Sequence, residues 1–209
     1  MSDLLTTYRP TKVFVQLDPD LVNGSYSGRV KIDYEFSDET VEIKVQASRD
    51  FQFTSVRIAT FYEFNEGYPV YSSADSENHI FDAEAEVLTI PLANPLTPEN
   101  TQNGFYIELE WIGPIGGPDS TEGFHALDES TVEADLRAGN ARKVLPSYEG
   151  GVAAKFGLAV ISDPVKRVES SLDDGGSEDY EGRVKYNFYK EEEITFEDIY
   201  IKVSPLILD

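Results

Sequence analysis

Apolar side chains recur at every second position along much of this chain, and that period commits it to β-sheet. Val13, Val15 and Leu17 alternate with other residues, and Val30, Ile32, Tyr34 and Phe36 alternate with Arg29, Lys31, Asp33 and Glu35. Val41, Ile43, Val45 and Ala47 repeat the pattern against Glu42, Lys44 and Gln46. Phe105, Ile107, Leu109 and Trp111 do so against Tyr106, Glu108 and Glu110, and Ile199, Ile201 and Val203 continue it near the end. A period of two sends successive side chains to opposite faces, one buried and one wet, as in antiparallel sheets. Weaker strands are read at 51–58, 87–90, 155–161 and 184–188. Turn signals separate them: Asn23-Gly24, Ser37-Asp38, Asn103-Gly104, Gly116-Gly117-Pro118 and Gly175-Gly176. The fold class is therefore all-β, an antiparallel β-sandwich or saddle-like stack of sheets. The one helical candidate is short, at 132–137. Two stretches rich in Gly and acids, 112–130 and 171–182, read as exposed loops, and the second is the candidate for a flexible segment. The whole chain, 1–209, reads as one domain.

Charge narrows the function. There are 39 acidic and 17 basic side chains, a formal net charge of -22. Such a field repels nucleic-acid phosphates and anionic membrane surfaces, and it attracts basic proteins or cations. The bland reading, that the charge only keeps the chain in solution, carries at least equal weight. The absence of cysteine excludes disulfides, thiolate nucleophiles and thiolate metal sites. It suits a reducing compartment. Met1-Ser2-Asp3-Leu4-Leu5 lacks a basic stretch followed by an apolar one, so no signal peptide is read and a cytoplasmic location is expected. No apolar run is long enough to span a bilayer. The sequon Asn23-Gly24-Ser25 reads better as a hairpin turn.

Little in the chain resembles catalytic machinery. The two histidines, His79 and His125, stand far apart in polar surroundings and read as solvated surface residues. H-E-x-x-H, G-x-S-x-G, the phosphate-cradling G-x-x-x-x-G-K-[ST] and the dinucleotide G-x-G-x-x-G are all absent. Asp173, Asp174, Glu178 and Asp179 lack the calcium-loop spacing, so a solvated acidic loop is the better reading. No carboxylate pair for glycoside chemistry can be picked from 39 acids without geometry. No catalytic residue, metal or cofactor is assigned.

Several segments, in order, resemble the N-terminal β-domain of zinc aminopeptidases of the aminopeptidase N type. Tyr8-Arg9-Pro10 followed by Val15-Gln16-Leu17-Asp18-Pro19-Asp20-Leu21 is similar to that family's opening Y-x-L-x-L-x-P-D-L. Gly24-Ser25-Tyr26-Ser27-Gly28-Arg29-Val30-Lys31-Ile32 is similar to G-x-F-x-G-x-V-x-I. Residues 40–53 resemble T-x-x-I-x-L-H-A-x-x-L-x-I, with Gln46 in place of His. Gly123-Phe124 resembles G-F/L-Y. Ala141-Arg142-Lys143-Val144-Leu145-Pro146-Ser147-Tyr148-Glu149 resembles A-R-x-x-F-P-C-x-D-E-P, and Lys155-Phe156-Gly157-Leu158 the strand after it. The shared order carries the weight, because chance matches need not be collinear. The last residues, near 199–206, fall about where that domain hands over to the catalytic one.

The resemblance implies the fold, present without the zinc-binding domain. Where the family carries a Gln or Glu that reaches the substrate's amino terminus, Arg137 stands, and a cation repels an ammonium group. The zinc ligands and catalytic tyrosine belong to a later domain that is missing. The implied role is a non-catalytic protein-binding or scaffold module. The alternative is a regulatory or complementing subunit of a full-length aminopeptidase. An enzyme with an unrecognised site ranks last. Candidate partner-binding residues are Arg137, Arg142, Tyr148, Glu149 and His125. Arg142 reads most simply as a partly buried structural cation paired with an acid from a neighbouring strand, a reading preferred to a ligand role and only narrowly so for Arg137, and Gly24, Gly28 and Pro146 read also as turn residues. The expected partner is a protein, of basic character, and a homodimer through uncovered apolar surface or an edge strand is a further expectation.

Overall fold

The structure is a computed structural model and describes residues 7–65, 68–76, 78–137, 139–148 and 150–206, with the backbone alone over 62–73. The chain runs through β1 (Tyr8–Asp20), β2 (Ser25–Phe36), β3 (Thr40–Gln46), β4 (Gln52–Asn65) and β5 (Tyr68–Asp75). It continues through β6 (Ile80–Asp82), β7 (Val87–Leu96), helical turn α1 (Pro98–Thr101), β8 (Phe105–Pro114), β9 (Phe124–Ala126) and β10 (Val132–Asp135). Helical turn α2 (Ala141–Val144) precedes β11 (Ala153–Ser162), β12 (Lys166–Ser170), β13 (Asp173–Tyr180) and β14 (Arg183–Thr195). A 3-10 turn (Phe196–Asp198) and β15 (Tyr200–Pro205) follow. Met1–Leu5, read above for a leader, lies outside the described residues.

Three open sheets form. One has eight strands in the order β13-β14-β11-β1-β2-β8-β4-β5, one has four (β12-β15-β10-β9) and one has three (β3-β7-β6). A single hydrophobic core runs through all three. The alternating residues supply it: Val13, Val15 and Leu17 from β1, Val30 and Ile32 from β2, and Ile107, Leu109 and Trp111 from β8, all almost fully buried. Facing strands contribute Ile43, Val45, Leu88 and Ile90 from the three-stranded sheet and Val132, Ala134, Ile201 and Val203 from the four-stranded one. Burying each such side chain is worth roughly 1.5–3 kcal/mol over leaving it exposed. The all-β expectation therefore stands at the level of class and layering.

Several details differ from the sequence expectation. The large sheet is mixed, because β1 pairs in parallel with β11, Val13 facing Phe156 and Leu17 facing Val160. Residues 171–182, expected as a flexible loop, contain β13, which pairs with β14 along most of its length. All eight of its residues are exposed. It is a strand because β14 offers a free backbone edge and because Lys185 and Lys190 neutralise Glu178 and Asp173, each at 3.2 Å. Residues 132–137, expected as a helix, begin with β10, whose Val132 and Ala134 face the core in period two. Within the expected loop 112–130, β9 buries Phe124 and His125. Gly28 is no turn residue. It sits inside β2 opposite Trp111, and a Cβ there would lie 2.2 Å from the indole. Gly24, with φ of +64°, is the turn glycine expected.

Candidate functional site

The segment Ala141–Tyr148 lies where the three sheets meet. Gln46 of β3 and Ser147 exchange backbone hydrogen bonds of 3.1 and 2.9 Å. The Tyr26 hydroxyl of β2 donates to the Val144 carbonyl at 2.7 Å, and the Ser48 amide donates to the Arg142 carbonyl at 2.8 Å. Ala141, Val144, Leu145, Ser147 and Tyr148 are all buried. The Tyr148 hydroxyl is 2.9 Å from that of Tyr34, and the Tyr8 hydroxyl beside them accepts from the Lys44 amide at 2.7 Å. Burial pushes the phenols of Tyr34 and Tyr148 well above their usual range, and that of Tyr8 up to about 12. These groups stay neutral and fixed. Tyr148 is thus a core residue and not a partner-binding one, because its side chain has no path to the surface.

Arg142 and Lys143, on α2, converge on one carboxylate that sequence reasoning missed. Glu86 ends the turn before β7, is 6% exposed, and has a φ of 55°. That left-handed backbone costs of order 1–3 kcal/mol in a residue with a side chain. The Arg142 Nε and Lys143 Nζ each donate to it at 2.7 Å, and the Arg49 Nε at 3.4 Å. Burial alone would raise the carboxyl's pKa. The two hydrogen-bonded cations override burial and bring it down to about 2. Three cations saturate one acid, so the cluster clamps α2 to the β6–β7 turn and leaves no free base. Arg142 is the partly buried structural cation of the preferred reading. Nothing in the spacing of Glu86 announces it, since its partners are 37, 56 and 57 residues away in sequence.

The other candidates scatter. Arg137 is exposed and forks onto both oxygens of Asp135 from its Nε, at 2.7 and 2.9 Å, with its Nη2 on Asp135 as well. His125 is buried, contrary to the solvated reading, because β9 turns it into the four-stranded sheet beside β10. Its Nε2 is 3.6 Å from Glu133, and its Nδ1 is 3.3 Å from the Gly123 carbonyl. The Tyr200 hydroxyl donates to Glu133 at 3.1 Å. Burial together with the Glu133 carboxylate pushes that phenol up to about 12. Glu149 lies outside the described residues. His79 is exposed, with Nδ1 2.8 Å from the Ser76 carbonyl. The structure therefore places Arg137 and His125 around neighbouring acids of β10, Asp135 and Glu133, both favouring the charged form of Asp135, and leaves Arg142 apart on the Glu86 cluster. Among the described residues no group of three or more His, Asp or Glu side chains is disposed to hold a metal.

A small depression of about 200 Å³ adjoins the Ala141–Tyr148 segment, between Ser48, Glu122, Phe124 and Lys143, and three roomier ones lie elsewhere. A cleft of about 480 Å³ opens between the β1–β2 turn and the β11–β12 turn, with Asp18, Asp20, Leu21, Val22, Asp163 and Arg183 on its walls. A second depression of about 460 Å³ shares Asp18, Ser27 and Ile112 with it and reaches Glu110, Tyr180 and Glu181. A third, of about 430 Å³, shares Thr54 and Glu110 with the second and ends at Asp75 and His79. Sharing these residues, they adjoin one another in a trough that runs from the turn end of the sandwich onto the eight-stranded sheet. Its arginines are already neutralised: Arg183 by Asp18 at 2.7 Å, Arg29 by Glu108 at 2.6 Å and Arg57 by Asp75 at 3.0 Å. The trough is therefore acid-dominated and open to solvent. It has the shape of a binding surface.

No helix of the described residues is long and apolar enough to cross a membrane. No family model matches this chain, and no curated protein matches it significantly.

Proposed function

We propose that this chain is a non-catalytic protein-binding module of the aminopeptidase N-terminal-domain type, and that its partner is a basic protein. The collinear motifs and the stacking of an eight-stranded sheet on two smaller ones favour that descent. The observation that carries the binding role is the distribution of charge. The buried Glu86 carboxylate is saturated by its cations, whereas the open trough keeps acids in excess over cations. Open acidic surface attracts and orients a cationic partner, and it speeds encounter at low salt.

The test is affinity capture from the protein's own cell extract at low and high salt. The captured chain is then identified, and the complex is rebuilt from purified components by titration calorimetry. A basic protein retained at low salt, released by salt and rebinding as the pure component supports the reading. Capture of nothing at low salt removes it. Turnover of an amino-acid amide that tracks the purified chain, after contaminating peptidases are removed, also removes it.

A further inference from the structure

Exposed apolar side chains are not spread evenly over this molecule. Among the described residues ten large ones are exposed, and six of them gather at one end of the sandwich: Val22, Ile112, Leu127, Val165, Tyr180 and Leu206. Pairing puts them there. Val22 tips the β1–β2 hairpin, and Val165 lies in the β11–β12 turn. The Leu206 amide donates to the Val165 carbonyl at 2.8 Å. Lys166 donates from Nζ to the Ser130 carbonyl at 2.6 Å, tying in the β9–β10 turn that carries Leu127. Ile112 and Tyr180 line the depression adjoining the 480 Å³ cleft. Val22 is 95% exposed and Val165 68%. One exposed valine on a turn is unremarkable, whereas a cluster around a cleft marks an interaction surface.

The charge around the cluster selects the occupant. Asp20, Asp128, Glu129 and Glu181 rim this end, all exposed, and none forms an ion pair among the described residues. The cations here are already engaged: Arg183 with Asp18 and Asp163, Arg167 with Glu169, and Lys166 with Ser130. A second copy of the chain would oppose acid to acid across a two-fold contact, and an anionic lipid surface would be repelled. A cationic segment with aliphatic side chains meets both features.

We infer that this turn end is a docking surface for an extended, lysine- or arginine-rich segment of a partner protein, with one aliphatic side chain seated in the cleft between the β1–β2 and β11–β12 turns. The inference rests on the binding-module reading and adds the place and the chemistry. The full chain is titrated with short synthetic peptides of alternating lysine and leucine, of lysine and glycine, and of glutamate and leucine, followed by amide NMR. The lysine–leucine peptide is expected to bind and to shift the amides of 20–25, Asp163, Val165, Lys166 and Leu206. The double variant Val22→Ser/Val165→Ser, which alters only exposed side chains, should weaken it about tenfold. Asp20→Asn/Glu181→Gln should weaken it too and flatten its salt dependence.

Equal binding of the lysine–glycine peptide would overturn the inference, as would binding of the glutamate–leucine peptide. So would lysine–leucine shifts confined to the sheet face around Phe14 and Tyr189, which would leave the module reading standing. Self-association abolished by the two serine substitutions would overturn it in favour of a second copy. No lysine–leucine binding would end it, while extract capture judges the module reading separately.

Discussion

Gly28 and Glu86 show how single positions hold this fold. Trp111 is 1% exposed, stacks on Phe51 at 5.6 Å between ring centroids, and occupies the space a Gly28 side chain would need. Gly28→Ala is expected to destabilise by roughly 1–3 kcal/mol, the usual range for overpacking. Urea unfolding followed by fluorescence reads it, since this is the only tryptophan. An unchanged midpoint would mean the indole relocates freely. Glu86 works through charge. Its folded pKa of about 2 lies below the ordinary 4.5, so its contribution is fully present above pH 4.5 and is lost as pH falls toward 2. A shift of that size corresponds to a contribution on the order of 3 kcal/mol. Glu86→Gln should therefore lower the urea midpoint at pH 7, and the gap between variant and wild type should close between pH 4.5 and 2. A gap that persists in acid would assign the effect to packing.

At the scale of elements, β13 is a strand made by its neighbour. Its exposed acids and two glycines carry no period, so composition reads as loop, and only the edge of β14 organises it. Edge strands with clustered charge resist pairing with other sheets. Removing that charge with Asp174→Asn, Glu178→Gln and Asp179→Asn together should promote self-association at micromolar concentration, visible by light scattering. A monomer unchanged under those conditions would show that the register shift between Asp174 and Ser177 guards the edge instead. Strands with six or more alternating residues, such as β2 and β8, were legible from sequence because one buried face dictates every second side chain. β10 was not, since four residues with Val132 and Ala134 inside fit a helical turn as well as a strand. His125 was misread for a related reason: whether a loop histidine is wet depends on β9 pairing with β10, a tertiary fact. Glu86 escaped notice because its partners meet it only through the junction of three sheets. Arg142, by contrast, was legible as a paired cation because arginine in a mixed apolar segment needs an acid.

Over the whole molecule the net charge of -22 acts on folding and on binding with opposite sign. Self-repulsion opposes the compact state, so moderate sodium chloride should raise the thermal midpoint at pH 7 through screening. The same salt should weaken capture of a basic partner. Opposed trends in the two measurements would trace both to the net charge, and a thermal midpoint that falls with salt would sink that account. The central strand of the large sheet has a different consequence. β1 is hydrogen-bonded on one side to β2, which follows it directly, and on the other to β11, which follows far later in the sequence. During synthesis the β1–β2 hairpin therefore waits with an open edge until β11 has emerged. Closing such a distant pair is entropically slow and leaves the intermediate open to wrong strand partners. A strand near the middle of the large sheet thus keeps one edge unpaired until β11 exists to cover it.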